Sequence, residues 1–218
     1  MILLHAETAV AKPYGQELTA ILLAAGQSRR FGSAKLLHPL ADGTPIGLVA
    51  AQKLQAVFEQ VLVVVNPDTP ILTALYQNLG LKVVVNPQAE QGLGSSLAQG
   101  IAHSSSSDAW LICLADMPFI QIETFCLIAD ALTAGAAIAA PSYQAKRGHP
   151  VGFAKQFETE LLELKQDLGA SHLLKRYAEQ VLLIPTQDVG ILQDIDTPTD
   201  LAQLTQLIHP KSTSASLF

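Results

Sequence analysis

An apolar run that ends in a glycine and a cationic loop constrains the fold of this chain more than any other feature. The run covers residues 20–25, and Gly26 follows it directly, with Arg29, Arg30 and Lys35 further along the loop. A continuous apolar run of this length is typical of a parallel strand that is buried on both faces. Glycine lets backbone N–H groups approach an anion, and Arg and Lys supply positive charge. The stretch therefore predicts a buried strand that opens into a phosphate-binding loop.

The spacing in this loop differs from the two common glycine-rich phosphate motifs. A Walker A motif has four residues between its glycines and a lysine directly after the second one. Here five residues separate Gly26 from Gly32, and Lys35 comes three positions after Gly32. The dinucleotide fingerprint GxGxxG does not occur in the loop either, which disfavours a dinucleotide-dependent oxidoreductase. A solvated loop with exposed cations is the alternative interpretation.

Predicted strands and helices alternate along the chain. Strands are predicted at 19–25, 60–65, 81–85, 108–115, 136–140 and 181–185, with a short one at 151–153, and helices at 45–58, 69–79, 94–103, 121–134, 156–164 and 170–178. This alternation indicates βαβ units and a mainly parallel sheet. We predict a three-layer, Rossmann-like α/β fold with a mixed, mainly parallel central sheet. An N-terminal extension (1–17), one domain (18–208) and a C-terminal tail (209–218) are expected.

Composition limits the class of protein. Hydrophobic residues make up 49% of the 218 residues and charged residues 15%, which suits a sheet buried between helices. No apolar run reaches the roughly 18 residues of a membrane span, and the N-terminus lacks a signal-peptide layout, so we expect a soluble, cytoplasmic protein without a membrane partner. The net charge of −6 disfavours a nucleic-acid partner. Cys113 and Cys126 are expected to be free thiols.

Two acidic side chains follow predicted strands. Asp116 comes directly after the strand at 108–115, and ligands of open parallel sheets bind beyond the carboxyl ends of the strands, so Asp116 is expected at the same edge as Gly26. A carboxylate at this edge is suited to Mg²⁺, which prefers oxygen ligands and bridges phosphates. The alternative role for Asp116 is to cap the helix at 121–134, although three residues, 118–120, intervene.

A second acidic site lies towards the end of the chain, at Asp194 and Asp196. Asp194 and Asp196 alternate on a segment predicted to be extended, and they therefore share a face. Thr197, Pro198 and Asp200 have the pattern of a helix start, with Thr197 as the N-cap, so Asp196 is not needed as a cap. We expect Asp196 to be a second metal ligand, and Asp194 is the alternative.

These motifs together resemble one known family. The pattern LAAGxSxRxGxxK is filled by Leu23, Ala24, Ala25, Gly26, Ser28, Arg30, Gly32 and Lys35. It resembles the nucleotidyltransferases of the molybdenum-cofactor group, and it is most similar to the molybdenum cofactor cytidylyltransferases. LADMP around Asp116 and DIDTP around Asp196 resemble the metal-binding segments of the family. The resemblance covers about residues 19–205.

The resemblance implies roles for individual residues. Arg30, Lys35 and Asp116 would be catalytic, and Asp116 and Asp196 would hold Mg²⁺. The implied nucleotide-binding residues are Leu23, Ala24, Ala25, Gly26, Ser28, Arg30, Lys35, Gly94, Ser95 and Ser96. RGHPVGF at 147–153 resembles the segment that borders the acceptor in cytidylyltransferases, so Arg147 and His149 are expected to bind the acceptor. Packing or a turn hydrogen bond is the alternative role for His149.

Two features bear on the identity of the base. Residues 92–97, GLGSSL, match a GMGSSL-like segment of the cytidylyltransferases, where backbone groups and hydroxyls would recognise a base. An ordinary loop with an N-cap is the alternative interpretation of this segment. Guanylyl relatives tend to carry a second glycine at the position of Ala25, and the larger alanine would narrow the pocket. The resemblance therefore favours CTP over GTP.

One segment departs from the family. Its GDxGAR motif is matched at Asp167, Gly169 and Ala170, while Gln166 and Ser171 replace the first glycine and the final arginine. The missing arginine removes an anion contact, which bears on the acceptor.

The implied activity is Mg²⁺-dependent transfer of CMP from CTP to molybdopterin-bound molybdenum, with release of pyrophosphate. Alternatives are guanylyl transfer from GTP, a sugar- or alcohol-phosphate acceptor, and an inactive nucleotide-binding regulator. A contact with a molybdoenzyme or cofactor chaperone is compatible with this activity, whereas the oligomeric state cannot be inferred from the sequence.

Overall fold

The structure is a computed structural model that describes residues 14–27, 31–32, 34–165 and 169–202. Eight strands form one sheet. The strands are β1 (Tyr14–Ala24), β2 (Phe58–Val65), β3 (Lys82–Val85), β4 (Ala109–Leu114), β5 (Ile138–Tyr143), β6 (Lys146–Arg147), β7 (Val151–Ala154) and β8 (Val181–Pro185). The helices are α1 (Ile46–Val57), α2 (Pro70–Asn78), α3 (Leu93–Ala102), α4 (Ile122–Thr133), α5 (Glu158–Leu162) and α6 (Ser171–Arg176).

The sheet has the strand order β3-β2-β1-β4-β7-β5-β6, and β8 pairs with β5. β1 is parallel to β2 and β4, and β3 is parallel to β2, whereas β7 runs antiparallel between β4 and β5. The register pairs Ala24 with Val65 and Leu23 with Leu114, so the carboxyl ends of β1, β2 and β4 lie side by side. The loops that follow these strands therefore meet at one edge of the sheet.

Helices cover both faces of the sheet. Leu22 of β1 packs into a cluster that includes α1, α2 and α4, whereas its neighbour Ile21 packs into a second cluster with α3, α5 and α6. The approach of α3 is close, because a Cβ added to Gly100 would lie 2.7 Å from Ile21 Cγ2. The mixed, mainly parallel sheet between two helical layers confirms the predicted three-layer α/β fold.

The first strand begins earlier than predicted. β1 starts at Tyr14, whose ring stacks on Phe58 and whose hydroxyl donates to Asp130 at 2.6 Å. Residues 14–17, which were predicted to belong to an N-terminal extension, are therefore part of the sheet. The rest of that extension and the predicted tail at 209–218 lie outside the described residues.

Two further expectations can be compared with the structure. Cys113 and Cys126 are free cysteines, as predicted. No helix within the described ranges is long and apolar enough to cross a membrane.

Candidate active site

A pocket of about 450 Å³ opens where the loops after β1, β3 and β4 meet. Of the residues predicted to bind nucleotide, Leu23, Ala24, Ala25, Gly26, Lys35 and Ser96 line it. Gly94 and Ser95 lie in the first turn of α3 beside the pocket without lining it. Ser28 and Arg30 lie outside the described residues, so their roles stay predictions.

Lys35 joins the two acidic residues in this pocket. Its Nζ donates to Asp116 Oδ2 at 2.9 Å and to Asp196 Oδ1 at 3.3 Å. The lysine side chain is 9% exposed, and the two carboxylates are 27% and 38% exposed. One ammonium group thus bridges two partly exposed carboxylates that come from different segments of the chain. Because both oxygens contact the same Lys35 Nζ, Asp116 Oδ2 and Asp196 Oδ1 lie no further apart than the sum of their distances to it.

Local packing explains why these three side chains converge. Lys35 begins a one-turn 3₁₀ helix, and the adjacent Leu36 is buried against Gly47 of α1. Asp116 is the second residue after β4, and its carbonyl accepts a hydrogen bond from Ile195 N at 2.9 Å. Because Ile195 is fully buried, this main-chain bond fixes the segment that carries Asp196 beside the one that carries Asp116.

The helix start after Asp196 is confirmed. Thr197 Oγ1 accepts from Asp200 N at 3.2 Å, and Asp200 Oδ2 accepts from Thr197 N at 2.7 Å. These bonds lower the pKa of Asp200. A 3₁₀ turn at Val189–Leu192 precedes the segment that carries Asp194 and Asp196, and residues 193–196 form neither helix nor strand. Asp196 lines the pocket and Asp194 does not.

The loop before α3 is organised by a residue that the sequence did not single out. Asn86 is fully buried after β3, and its Nδ2 donates to Ser95 Oγ and Ser96 Oγ, both at 3.0 Å. Ser95 Oγ also lies 2.9 Å from the carbonyl oxygens of Gln88 and Gly92, to which it donates. Ser95 therefore shapes the loop, and Ser96 is the hydroxyl of the pair that lines the pocket.

Three further residues that line the pocket are Gln27, Glu90 and Leu93. Leu93 belongs to the GLGSSL segment that the sequence predicted to recognise a base, whereas Gln27 and Glu90 were not named individually. The fold brings the segment 89–96 to the same pocket as the loop after β1.

The residues assigned to the acceptor lie apart from this pocket. Arg147 is exposed on β6, and neither it nor His149 is among the pocket-lining residues. The turn between β6 and β7 is held against the 3₁₀ turn at 189–192, because His149 N donates to Ile191 O at 3.0 Å. A Cβ on Gly148 would lie 2.4 Å from the same oxygen, so only glycine fits there.

The comparison with known proteins identifies the family. The family model described as the MobA-like NTP transferase domain matches residues 20–181. The chain belongs to this family. It is a nucleotidyltransferase of the MobA-like type, and the match contains all pocket residues named above except Asp196.

Individual relatives of this MobA-like chain extend over most of its length. The purine catabolism protein PucB of Bacillus subtilis is 31% identical over 84% of this chain and 93% of its own length. A probable molybdenum cofactor guanylyltransferase of Trichormus variabilis is 34% identical over 85% and 89%. The crystal structure of Rv0371c from Mycobacterium tuberculosis is similar, with a TM-score of 0.76, 27% identity and coverage of 87% and 98%. A structure of Rv0371c in complex with manganese has a TM-score of 0.73 and 25% identity.

The donor set of the pocket fits a divalent ion. Asp116 and Asp196 present carboxylate oxygens to the Lys35 ammonium. Within the described ranges there is no group of three or more His, Cys, Asp and Glu side chains that could hold a metal by itself. Mg²⁺ typically takes one or two carboxylates and completes its shell with water and substrate phosphates. Two carboxylates in this pocket match this preference.

His149 should make the stability of this MobA-like protein depend on pH. Burial and, to a smaller extent, the charge of Arg147 lower its pKa from 6.5 to about 4, while Asp194 opposes the shift. Its Nδ1 is buried without a hydrogen-bond partner in the described structure. The unfolded chain binds the proton more tightly, so the stability from neutral His149 is complete above pH 6.5 and is lost as the pH falls towards 4. The loss should be about 2–3 kcal/mol.

The measurement is the free energy of unfolding between pH 4 and 7 for the wild type and His149→Asn. The difference between their pH slopes isolates His149 from other groups that titrate in this range. His103→Asn, which replaces an exposed histidine, is the control and should keep the wild-type slope. Equal slopes in the wild type and His149→Asn would contradict the prediction.

Proposed function

We propose that this MobA-like protein transfers CMP from CTP to molybdopterin-bound molybdenum and releases pyrophosphate. The observation that best supports nucleotidyl transfer is the cluster of Lys35, Asp116 and Asp196 in a pocket that also exposes the Gly26 turn. This cluster combines a cation for phosphate oxygens with two carboxylates for a divalent ion. Such a site acts by positioning and charge neutralisation, which are the main needs of phosphoryl-group chemistry.

The residues of the site would have separate roles in this reaction. Backbone N–H groups around Gly26 and the ammonium of Lys35 would hold the triphosphate, as would Arg30 in the sequence prediction. Asp116 and Asp196 would hold Mg²⁺, which when bound supplies positive charge to phosphate oxygens. A phosphate oxygen of the acceptor attacks the α-phosphorus in line and forms a new P–O bond. The bond between the α-phosphorus and the bridging oxygen breaks, and pyrophosphate leaves with the electron pair.

Ala25 supports a pyrimidine as the base. Ala25 is 5% exposed and lines the pocket, where the guanylyl relatives tend to have glycine. Its methyl group takes space that a purine ring would need. The Ser96 hydroxyl and the Glu90 carboxylate line the same pocket and offer polar groups to a base edge. These features support CTP.

The acceptor is inferred from relatives and from the resemblance of 147–153. The Trichormus variabilis relative is named for the molybdenum cofactor, which supports a molybdopterin-type acceptor. Arg147 and His149 remain the proposed acceptor contacts. The GDxGAR departure falls partly outside the described residues, since Gln166 is not described, and Ser171 begins α6.

Guanylyl transfer from GTP is the second candidate. It is favoured by the relative from Trichormus variabilis, which is a probable molybdenum cofactor guanylyltransferase and is 34% identical to this chain. The two candidates share the chemistry of the triphosphate and differ only in the base.

The decisive experiment measures pyrophosphate release with CTP, GTP, UTP and ATP, each with molybdopterin carrying molybdenum and with Mg²⁺. We expect CTP to give the highest kcat/KM. In Ala25→Gly, the added space should raise kcat/KM for GTP relative to CTP by roughly 10-fold, because small changes in pocket volume are worth ~1–3 kcal/mol. Turnover of GTP but not CTP by the wild type would overturn the choice of base. Absence of pyrophosphate release with every nucleotide would overturn transfer to this acceptor.

A further inference from the structure

The segment between Asp116 and α4 is held by side chains from distant parts of the chain. Residues 117–121 connect the end of β4 to Gln121, the N-cap of α4, and contain no helix or strand. Upstream, the main chain is fixed at Asp116 by Ile195 N. Downstream, the segment depends on one charged side chain from α1 and one from the loop after β8.

Lys53 of α1 binds the carbonyl groups of this segment. Its Nζ donates to Pro118 O and to Ile120 O, both at 2.7 Å. The side chain is half-buried, and burial lowers its pKa, whereas Asp188 and Glu123 raise it. An ammonium group removed from water is costly unless it is hydrogen-bonded, and here two carbonyl groups compensate it. The bonds therefore make Lys53 and the segment interdependent.

Asp188 binds the other end of the segment. It is 2% exposed, and its Oδ2 accepts from Gln121 N at 2.8 Å and from Thr124 Oγ1 at 2.7 Å. Its Oδ1 accepts from Gly190 N at 2.9 Å. Asp188 thus anchors the start of α4, and Lys53 anchors the stretch between α4 and Asp116.

We propose that Lys53 is a positioning residue that fixes the carboxylate of Asp116 in the nucleotide pocket. This inference rests on the proposed function, in which Asp116 holds the metal ion. Lys53 lies outside the pocket lining and acts only through the main chain at Pro118 and Ile120. When its ammonium is removed, both carbonyl groups lose their donor, and the segment just after Asp116 is free to shift. Groups that orient metal ligands from outside the ligand shell typically change metal affinity or activity by about 10–100-fold.

The test compares Lys53→Met and Lys53→Arg with a matched control. Lys82→Met is the control because Lys82 Nζ also donates to a main-chain carbonyl group, that of His103, at 2.6 Å. Lys82 does not line the nucleotide pocket. Mn²⁺ affinity is measured by electron paramagnetic resonance in the presence of the nucleotide that the wild type turns over best, together with kcat and KM. We expect Lys53→Met to weaken Mn²⁺ binding by about 10-fold or more and to lower kcat.

Lys53→Arg should recover most of the Mn²⁺ affinity, because a guanidinium can donate to both carbonyl groups. Lys82→Met should match the wild type. If Lys53→Met does not fold, Lys53→Gln, which keeps a donor, replaces it. Lys53→Gln should also weaken Mn²⁺ binding, by a smaller factor than Lys53→Met. A folded Lys53→Met or Lys53→Gln protein with wild-type Mn²⁺ affinity would overturn the inference while the transferase proposal stands, and an equal loss in Lys82→Met would do the same. A wild type that binds no Mn²⁺ overturns both.

Discussion

Replacing Asp116 with asparagine is expected to lower nucleotidyl transfer by about 10³-fold, because the variant keeps the shape of the side chain and loses its charge. The carboxylate contacts Lys35 at 2.9 Å and is one of the two that would hold the metal ion. The measurement is pyrophosphate release under saturating nucleotide, with Mn²⁺ affinity as the second readout. Asp68→Asn, an exposed aspartate after β2, is the control and should retain full activity.

The fold of Asp116→Asn should remain intact. Asp116 is partly exposed, and ion pairs at exposed sites contribute little to stability, about 0–1 kcal/mol. The thermal midpoint should therefore stay within a few degrees of the wild type, which separates loss of chemistry from loss of structure. Activity within about threefold of the wild type would contradict the role of Asp116. An inactive regulator makes a different prediction, because Asp116→Ala would then leave the biological function unchanged.

The strands were predictable where burial on both faces dictated the sequence. β1, β2 and β4 are buried on both sides of the sheet, so their apolar runs predicted them within a few residues. The start of β1 was missed because residues 15–17 are exposed and polar, and the contact of Tyr14 with Phe58 is tertiary. The insertion of β7 between β4 and β5 could not be inferred either, since strand order depends on pairing between residues far apart in sequence.

The candidate site was also predictable from the sequence only in part. The position of Asp116 at the edge that carries Gly26 followed from the rule that parallel strands present their carboxyl ends together. Lys53, Asn86 and Asp188 were not predicted, because each acts on partners in distant or irregular segments. Asp188, for example, binds Gln121, which is 67 positions away. A single polar residue on an amphipathic helix or in a loop carries no local sign of such a partner.

Lys35 shows how the structure adds to a motif. The sequence placed it among phosphate ligands, and in the structure its ammonium lies between the two carboxylates. A divalent ion held by Asp116 and Asp196 would therefore compete with Lys35 for the same oxygens. Binding of a metal–nucleotide complex would release Lys35 from Asp116 and Asp196 and leave its charge for the phosphates.

Lys35→Met should consequently change metal binding and turnover in opposite directions. Without the ammonium, Asp116 and Asp196 lose a cation that they share, and a divalent ion can take its place. We expect nucleotide-free Lys35→Met to bind Mn²⁺ more tightly than the wild type and to gain more thermal stability from added Mg²⁺. Turnover should nevertheless fall by about 10²–10³-fold, because a fixed donor to the phosphates is lost.

The control for this experiment is Lys146→Met, which removes an exposed lysine of β6 and should leave Mn²⁺ affinity and turnover unchanged. In the double variant Lys35→Met with Asp116→Asn, the gain in Mn²⁺ affinity should disappear, because only one carboxylate of the pair remains. A Lys35→Met protein whose Mn²⁺ affinity does not exceed that of the wild type would contradict the competition between Lys35 and the metal ion. Loss of turnover together with tighter metal binding would show that Lys35 acts on the phosphates and competes with the metal ion for Asp116 and Asp196.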